Sequence, residues 1–168
     1  NPTVYWTVGS DLWIMPRAKT ATAGNEFKVA MPSLARTITL DPNNDSIMYF
    51  IKGSSSGSAR VYKSSNLFEG NVQWEDITGD LPDLLFARCI DVNPYNENQL
   101  VLGTESGLYV SNDGGQHWEK ELQFPSVVVS RVKVRRSDNR VFIYSYGRGA
   151  WAATFPGGAG VTEIADNA

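Results

Sequence analysis

An all-β fold of repeated antiparallel units is predicted by three observations. Short apolar runs that close on glycine recur after Pro- or Asn/Asp-rich turns, with closing glycines at positions 9, 53, 103 and 147, hence intervals of 44, 50 and 44. A second short strand follows each glycine, and a third element carries an aromatic ring at positions 27, 74 and 118, spaced 47 and 44. The runs are alternating or β-branched and show no helical period. Four antiparallel strands in about 45 residues make a unit the size of a β-propeller blade.

The first unit opens with Val4-Tyr5-Trp6-Thr7-Val8 after Asn1-Pro2, and continues with Asp11-Leu12-Trp13-Ile14 and Glu26-Phe27-Lys28-Val29. It lacks the strand that opens the others. Those opening strands are Thr37-Ile38-Thr39-Leu40, Cys89-Ile90-Asp91-Val92 and Val132-Lys133-Val134. The second strands of the later units end at Lys52, Leu102 and Tyr146. Third strands follow at Ala59-Arg60-Val61-Tyr62, Gly107-Leu108-Tyr109-Val110 and Gly149-Ala150-Trp151-Ala152. The expected boundaries are a partial blade at 1–34, blades at 35–84 and 85–126, a closing blade at 127–155 and a tail at 156–168. Val161-Thr162-Glu163-Ile164 is expected to supply the last strand. About 3.5 blades make either a small four-bladed ring or part of a larger one, since rings carry roughly 4–8. The missing opening strand favours the second. Terminal blades leave an apolar face to cover, so the remaining blades of a larger propeller, or another chain, are the expected partner. A start at Asn1 fits a mature or excised piece.

The 168 residues suffice for one domain with a sizeable core. A formal charge of −3 and a pI near 5.1 give no general pull toward nucleic acid or anionic membrane. No apolar run approaches ~18 residues, so no membrane insertion is expected. The single cysteine, Cys89, excludes an internal disulfide and a cysteine-cluster metal site, and reads as a small buried apolar residue. No cofactor or metal is expected. Asn44-Asp45-Ser46 fits the N-glycosylation pattern, relevant only in a eukaryotic source.

The most specific local pattern is Ser111-Asn112-Asp113-Gly114-Gly115-Gln116-His117-Trp118. Flanking apolar runs make it a hairpin with a tight Asp-Gly-Gly turn. Ser111 and Asp113 accept from nearby backbone N–H groups, the glycines reverse the chain, and Trp118 buries its ring behind the turn. The octet resembles the Asp-box, Ser-x-Asp-x-Gly-x-x-Trp, at every fixed position: Ser111, Asp113, Gly115 and Trp118. Asp-boxes occur in propellers of the sialidase, sortilin and xyloglucanase type. In the second unit Ser64-Ser65-Asn66 starts the same pattern, but Leu67 to Asn71 lengthens the turn before Trp74. Tyr146-Gly147-Arg148-Gly149-Ala150-Trp151 resembles the closing blade of secreted bacterial Asp-box propellers. The resemblance covers about residues 1 to 155. It implies the fold and an extracellular or secreted setting, but no particular activity.

For Asp113 the favoured role is holding the turn, with a calcium site, which needs ~6–8 oxygen ligands, as the alternative. Glycoside hydrolysis needs two carboxyl groups ~5–9.5 Å apart. Asp80 and Asp83, on an inter-blade connection, and Asp91, within an innermost strand, are the candidates, with solvated-turn roles favoured for the first two. Sialidases grip a carboxylate with three arginines. Arg36 and Arg88 occupy equivalent places, but Arg131 falls one residue out of register, which flips its side chain. Arg36 and Arg88 are therefore read as polar residues at the channel entrance, free to meet an anionic ligand. Arg148 is expected to bond carbonyls of an adjacent blade, the run Lys133 to Arg136 to be a solvated strand end, and His117 to have no catalytic context. The function expected is a non-catalytic recognition or scaffold module, binding protein or glycan through blade-top loops. The alternatives are part of a sialidase-like or xyloglucanase-like glycoside hydrolase, and a subunit contributing blades to a larger assembly.

Overall fold

The computed structural model describes residues 2–53 and 60–155, with the backbone of 162–163. The described residues form strands, turns and irregular chain, with no helix among them. They make four antiparallel sheets, each a meander whose strands lie side by side in chain order. The first holds three strands, β1 (Val4–Val8), β2 (Asp11–Met15) and β3 (Phe27–Ala30). The second holds β4 (Ala35–Leu40), β5 (Met48–Lys52), β6 (Val61–Ser64) and β7 (Glu75–Asp76). The third holds β8 (Ala87–Asn93), β9 (Asn96–Thr104), β10 (Gly107–Ser111) and β11 (Glu119–Lys120). The fourth holds β12 (Val129–Val134), β13 (Arg140–Ser145), β14 (Ala150–Thr154) and β15 (Thr162–Glu163). The expected bridge at 156–160 lies outside the described residues.

Sheets stack face to face, and strand alternation shows how. Met48 and Phe50 of β5 pack toward the first sheet, with Leu12, Ile14 and Val29. Tyr49 and Ile51, the intervening residues, pack toward the third sheet, with Ile90, Leu100 and Trp118. An apolar residue at each of these four positions is what a strand covered on both faces requires. A third cluster joins the third and fourth sheets through Val101, Phe124, Val129 and Ile143. Burying each such side chain contributes roughly 1.5–3 kcal/mol.

Among the described residues no core cluster joins the fourth sheet to the first. The described residues form an all-β partial propeller, an open arc. Its inner edge is formed by β4, β8 and β12, with β8 between the other two. Each of these three strands begins with a register shift, between Ala35 and Thr37, Ala87 and Cys89, and Val129 and Arg131. The repeated irregularity keeps the three inner strands in the same phase. The first sheet has no counterpart to them, so β1 is its inner edge.

Candidate functional site

Two places gather polar side chains: the turn after β10, on the arc's outer side, and a pocket on its inner edge. The turn is longer than the hairpin expected. β10 and β11 pair only at Tyr109–Lys120 and Val110–Glu119, so residues 112–118 form a loop. Side-chain acceptors hold it instead of ladder bonds. Ser111 Oγ donates to Asp113 Oδ1 at 2.9 Å and accepts from Gly115 N at 2.9 Å. Asp113 Oδ1 accepts from the backbone N–H groups of Gln116 (3.0 Å) and His117 (2.9 Å). Its Oδ2 meets His117 Nδ1 at 2.5 Å. The His117 N–H, and then the His117 ring, hold the Asp113 carboxyl well below the usual carboxylate range. The same hydrogen bond raises the exposed His117 ring above its ordinary value. His117 thus has a carboxylate partner.

The turn also fastens two sheets together. Trp118 is buried, and its Nε1 donates to Ile77 O at 3.2 Å and to Gly115 O at 3.1 Å. Its backbone N donates to Asp80 Oδ1 at 2.7 Å. Asp80 is therefore a tie to the next sheet and no free turn carboxylate. The segments are too close for side chains where they cross. A Cβ on Gly79 (φ +54°) would lie 2.3 Å from Gln116 O, and one on Gly115 (φ +97°) 2.7 Å from Ile77 O.

The second unit reproduces this arrangement with other chemistry. Ser64 Oγ donates to Asn66 Oδ1 at 3.2 Å, and Asn66 Oδ1 accepts from Gln73 N at 2.9 Å. Asn66 Nδ2 donates to Asn71 O at 3.0 Å and to Glu69 Oε2 at 3.1 Å. Trp74 Nε1 donates to Ala30 O of β3 at 2.9 Å.

On the inner edge, a cavity of about 310 Å³ opens among β4, β8 and β12. Arg36, Arg88, Arg131 and Lys133 line it with a single acid, Asp91. Arg36 and Arg88 sit at their strands' register shifts. Arg131 follows its own shift by one residue, at the place of Thr37 and Cys89, so the three arginines are out of phase yet share one cavity. Asp91 is 3% exposed; its Oδ2 accepts from Val134 N at 2.8 Å and pairs with Lys133 Nζ at 3.0 Å. It stitches two inner strands together. Thr39, at the same offset in β4, donates through Oγ1 to Ile90 O at 2.9 Å. Arg88 Nη2 pairs with Glu105 Oε1 at 2.9 Å, and its guanidinium lies 5.9 Å from the Tyr146 ring centroid. Cys89 is buried, which pushes its thiol up to about 11.

Beyond the far ends of the inner strands the loops converge. Arg136 Nη2 donates to Asn43 Oδ1, Tyr95 Oη donates to Arg136 O at 2.6 Å, and Asn43 Nδ2 donates to Pro94 O. The basic run is thus bound into the structure, with Lys133 on Asp91 and Arg135 on Asp138 at 2.5 Å. At the opposite end, the connections leading into β4, β8 and β12 expose Leu34 (55%), Leu84 (75%) and Leu122 (86%).

The structure does not bring the candidate acids together. Asp83 lines a separate cavity of about 290 Å³ with Arg60 and Asp76, themselves paired at 2.7 Å. Arg148 contributes its backbone carbonyl to Trp151 Nε1 at 2.9 Å. Among the described residues its side chain makes no ion pair, and the inter-blade carbonyl bonds expected of it are absent. No group of three or more His, Cys, Asp or Glu among the described residues is placed to hold a metal ion. Sequence reasoning missed Thr39 and Lys133 as axial residues. The available signal was their offset: Thr39, Asp91 and Lys133 each lie four residues after Ala35, Ala87 and Val129, where the inner strands begin.

No family model matches the chain, and no curated protein matches it either. Solved structures do. The GH74 xyloglucanase from Xanthomonas campestris is 16% identical, with a TM-score of 0.65, over 96% of this chain and 29% of that one. The Niastella koreensis GH74 enzyme is 19% identical, with a TM-score of 0.59, over 78% of this chain and 22% of that one. The β-propeller domain of Cps50 (Swd1) from Myceliophteria thermophila is 12% identical, with a TM-score of 0.64, over 89% of this chain and 47% of that one. Identities this low establish a shared propeller fold and nothing finer. The chain spans less than a third of the length of these GH74 enzymes and about half that of the Cps50 domain.

Proposed function

We propose that this chain is an Asp-box-type propeller segment acting as a non-catalytic, extracellular recognition module, which binds a protein or glycan at the end of the arc where the inner strands begin. One observation carries the reading: the inner-edge cavity presents four cationic side chains and one carboxylate, and that carboxylate is engaged by Val134 N and Lys133. Such a lining holds a ligand; glycoside hydrolysis needs a second carboxyl group facing the first. Exposed leucines on connections held by rigid sheets add contact area. The three-stranded first sheet and the open arc favour completion by further blades, from the same chain or another.

Arrays of glycans and peptides, read together with reducing-end release, test the reading. The expected result is saturable binding that is lost on combining Leu84→Asp with Leu122→Asp, without release. The likeness to GH74 enzymes favours a second reading, part of a glycoside hydrolase whose carboxylates other blades complete. Release from xyloglucan or aryl glycosides, abolished by Asp91→Asn, would replace the first reading with the second.

A further inference from the structure

We infer that the inner-edge cavity takes an acidic peptide segment, whose carboxylates meet Arg36 and Arg131 while its apolar side chains meet the exposed leucines. The inference rests on the recognition reading above and specifies its ligand. Four cations and one acid line the cavity of a chain whose formal charge is −3. Two of the four are already neutralised, Lys133 by Asp91 and Arg88 by Glu105. Arg36 and Arg131 form no ion pair among the described residues, and both are exposed. Like charges gathered in one concavity focus a field that draws anions in. Planar guanidinium forks match carboxylates in shape as well as charge.

The surroundings narrow the anion to a peptide. Beyond the far ends of the inner strands, Arg136, Asn43, Pro94 and Tyr95 tie together the loops on that side of the cavity. Its volume of about 310 Å³ is at the small end for ligand sites, suited to one or two side chains. Leu34, Leu84 and Leu122 stand exposed on the connections leading into the inner strands. Apolar contacts beside charged ones are what alternating acidic and apolar residues complement.

The test is fluorescence anisotropy with a labelled peptide of alternating Glu and Leu, and its Gln/Leu counterpart. The Glu peptide is expected to bind roughly tenfold or more tightly than the Gln peptide, with the preference shrinking in high salt. Arg36→Gln combined with Arg131→Gln is expected to erase that preference, whereas Arg140→Gln, exposed on β13, leaves it intact; circular dichroism checks that each variant folds. Equal affinity for the two peptides, or an unchanged preference in the double variant, overturns the inference. So does inorganic phosphate binding that needs Arg36 and Arg131 without any peptide binding. A neutral array ligand lost with Leu84→Asp and Leu122→Asp, but indifferent to the arginines, overturns the acidic ligand and leaves the recognition reading standing.

Discussion

The turns at 64–74 and 111–118 do one job with different chemistry. Each begins with a serine and ends with a tryptophan whose indole N–H bonds the outer chain of the preceding sheet. Between serine and tryptophan lie nine residues in the first and six in the second. In the short turn Asp113 accepts two backbone N–H groups and needs no donor. The long turn carries extra chain, and with it carbonyls that want donors. Asn66 accepts one N–H and donates to Asn71 O, which a carboxylate cannot do. The change from Asp to Asn is therefore matched to loop length. The short turn also meets its neighbour more closely, through Trp118 N on Asp80 and through the Gly79–Gly115 crossing.

Truncating the two tryptophans therefore has unequal effects. Trp118→Ala, at a buried site, is expected to lower unfolding free energy by about 3–5 kcal/mol. Trp74→Ala, at a half-buried one, costs about 2 kcal/mol. Urea unfolding of both variants decides it, and equal losses would break the contrast. Next in size is a glycine pair. Gly115→Ala forces a Cβ toward Ile77 O at positive φ and costs roughly 1–3 kcal/mol. Gly70→Ala, in the long turn, meets nothing within 4 Å, so its midpoint should hardly move.

The legible and illegible parts of the sequence divide along the same line. Inner and middle strands were readable because alternate residues pack in different cores, as Met48 and Phe50 do against Tyr49 and Ile51. Ser111 to Trp118 was readable because its bonds close within eight residues. Ser64-Ser65-Asn66 keeps the start of the pattern but Leu67 to Asn71 breaks the spacing to Trp74, so the full equivalence of Asn66 to Asp113 shows in the bonds it makes. β7 and β11 span two residues each, too short to carry a period. The cavity was the least legible. Arg36, Arg88 and Arg131 meet only because three strands share a register shift and the arc curves, and neither is a local property.

Exchanging the two polar anchors sharpens the contrast at smaller scale. Asn66→Asp loses the donor to Asn71 O and places a carboxylate against Glu69, which costs roughly 0.5–1.5 kcal/mol by urea unfolding. The smallest expected effect is in pH. The raised His117 pKa makes its contribution fully present below the unfolded value near ~6.5 and lost as pH rises through the folded one. The lowered Asp113 pKa makes its contribution present above the unfolded value near ~3.9 and lost as pH falls through the folded one. His117 is the only histidine, so its ring proton resonances report the pair directly. Its NMR midpoint should fall toward the ordinary value in Asp113→Asn.

Among the described residues, the second and third sheets each serve two cores, whereas the first and fourth serve one. Damage should therefore spread stepwise along the polypeptide. Loss of the N-terminal meander would expose Met48 and Phe50 yet leave the two downstream interiors sealed. A protease would meet these four sheets as a stack of separable plates.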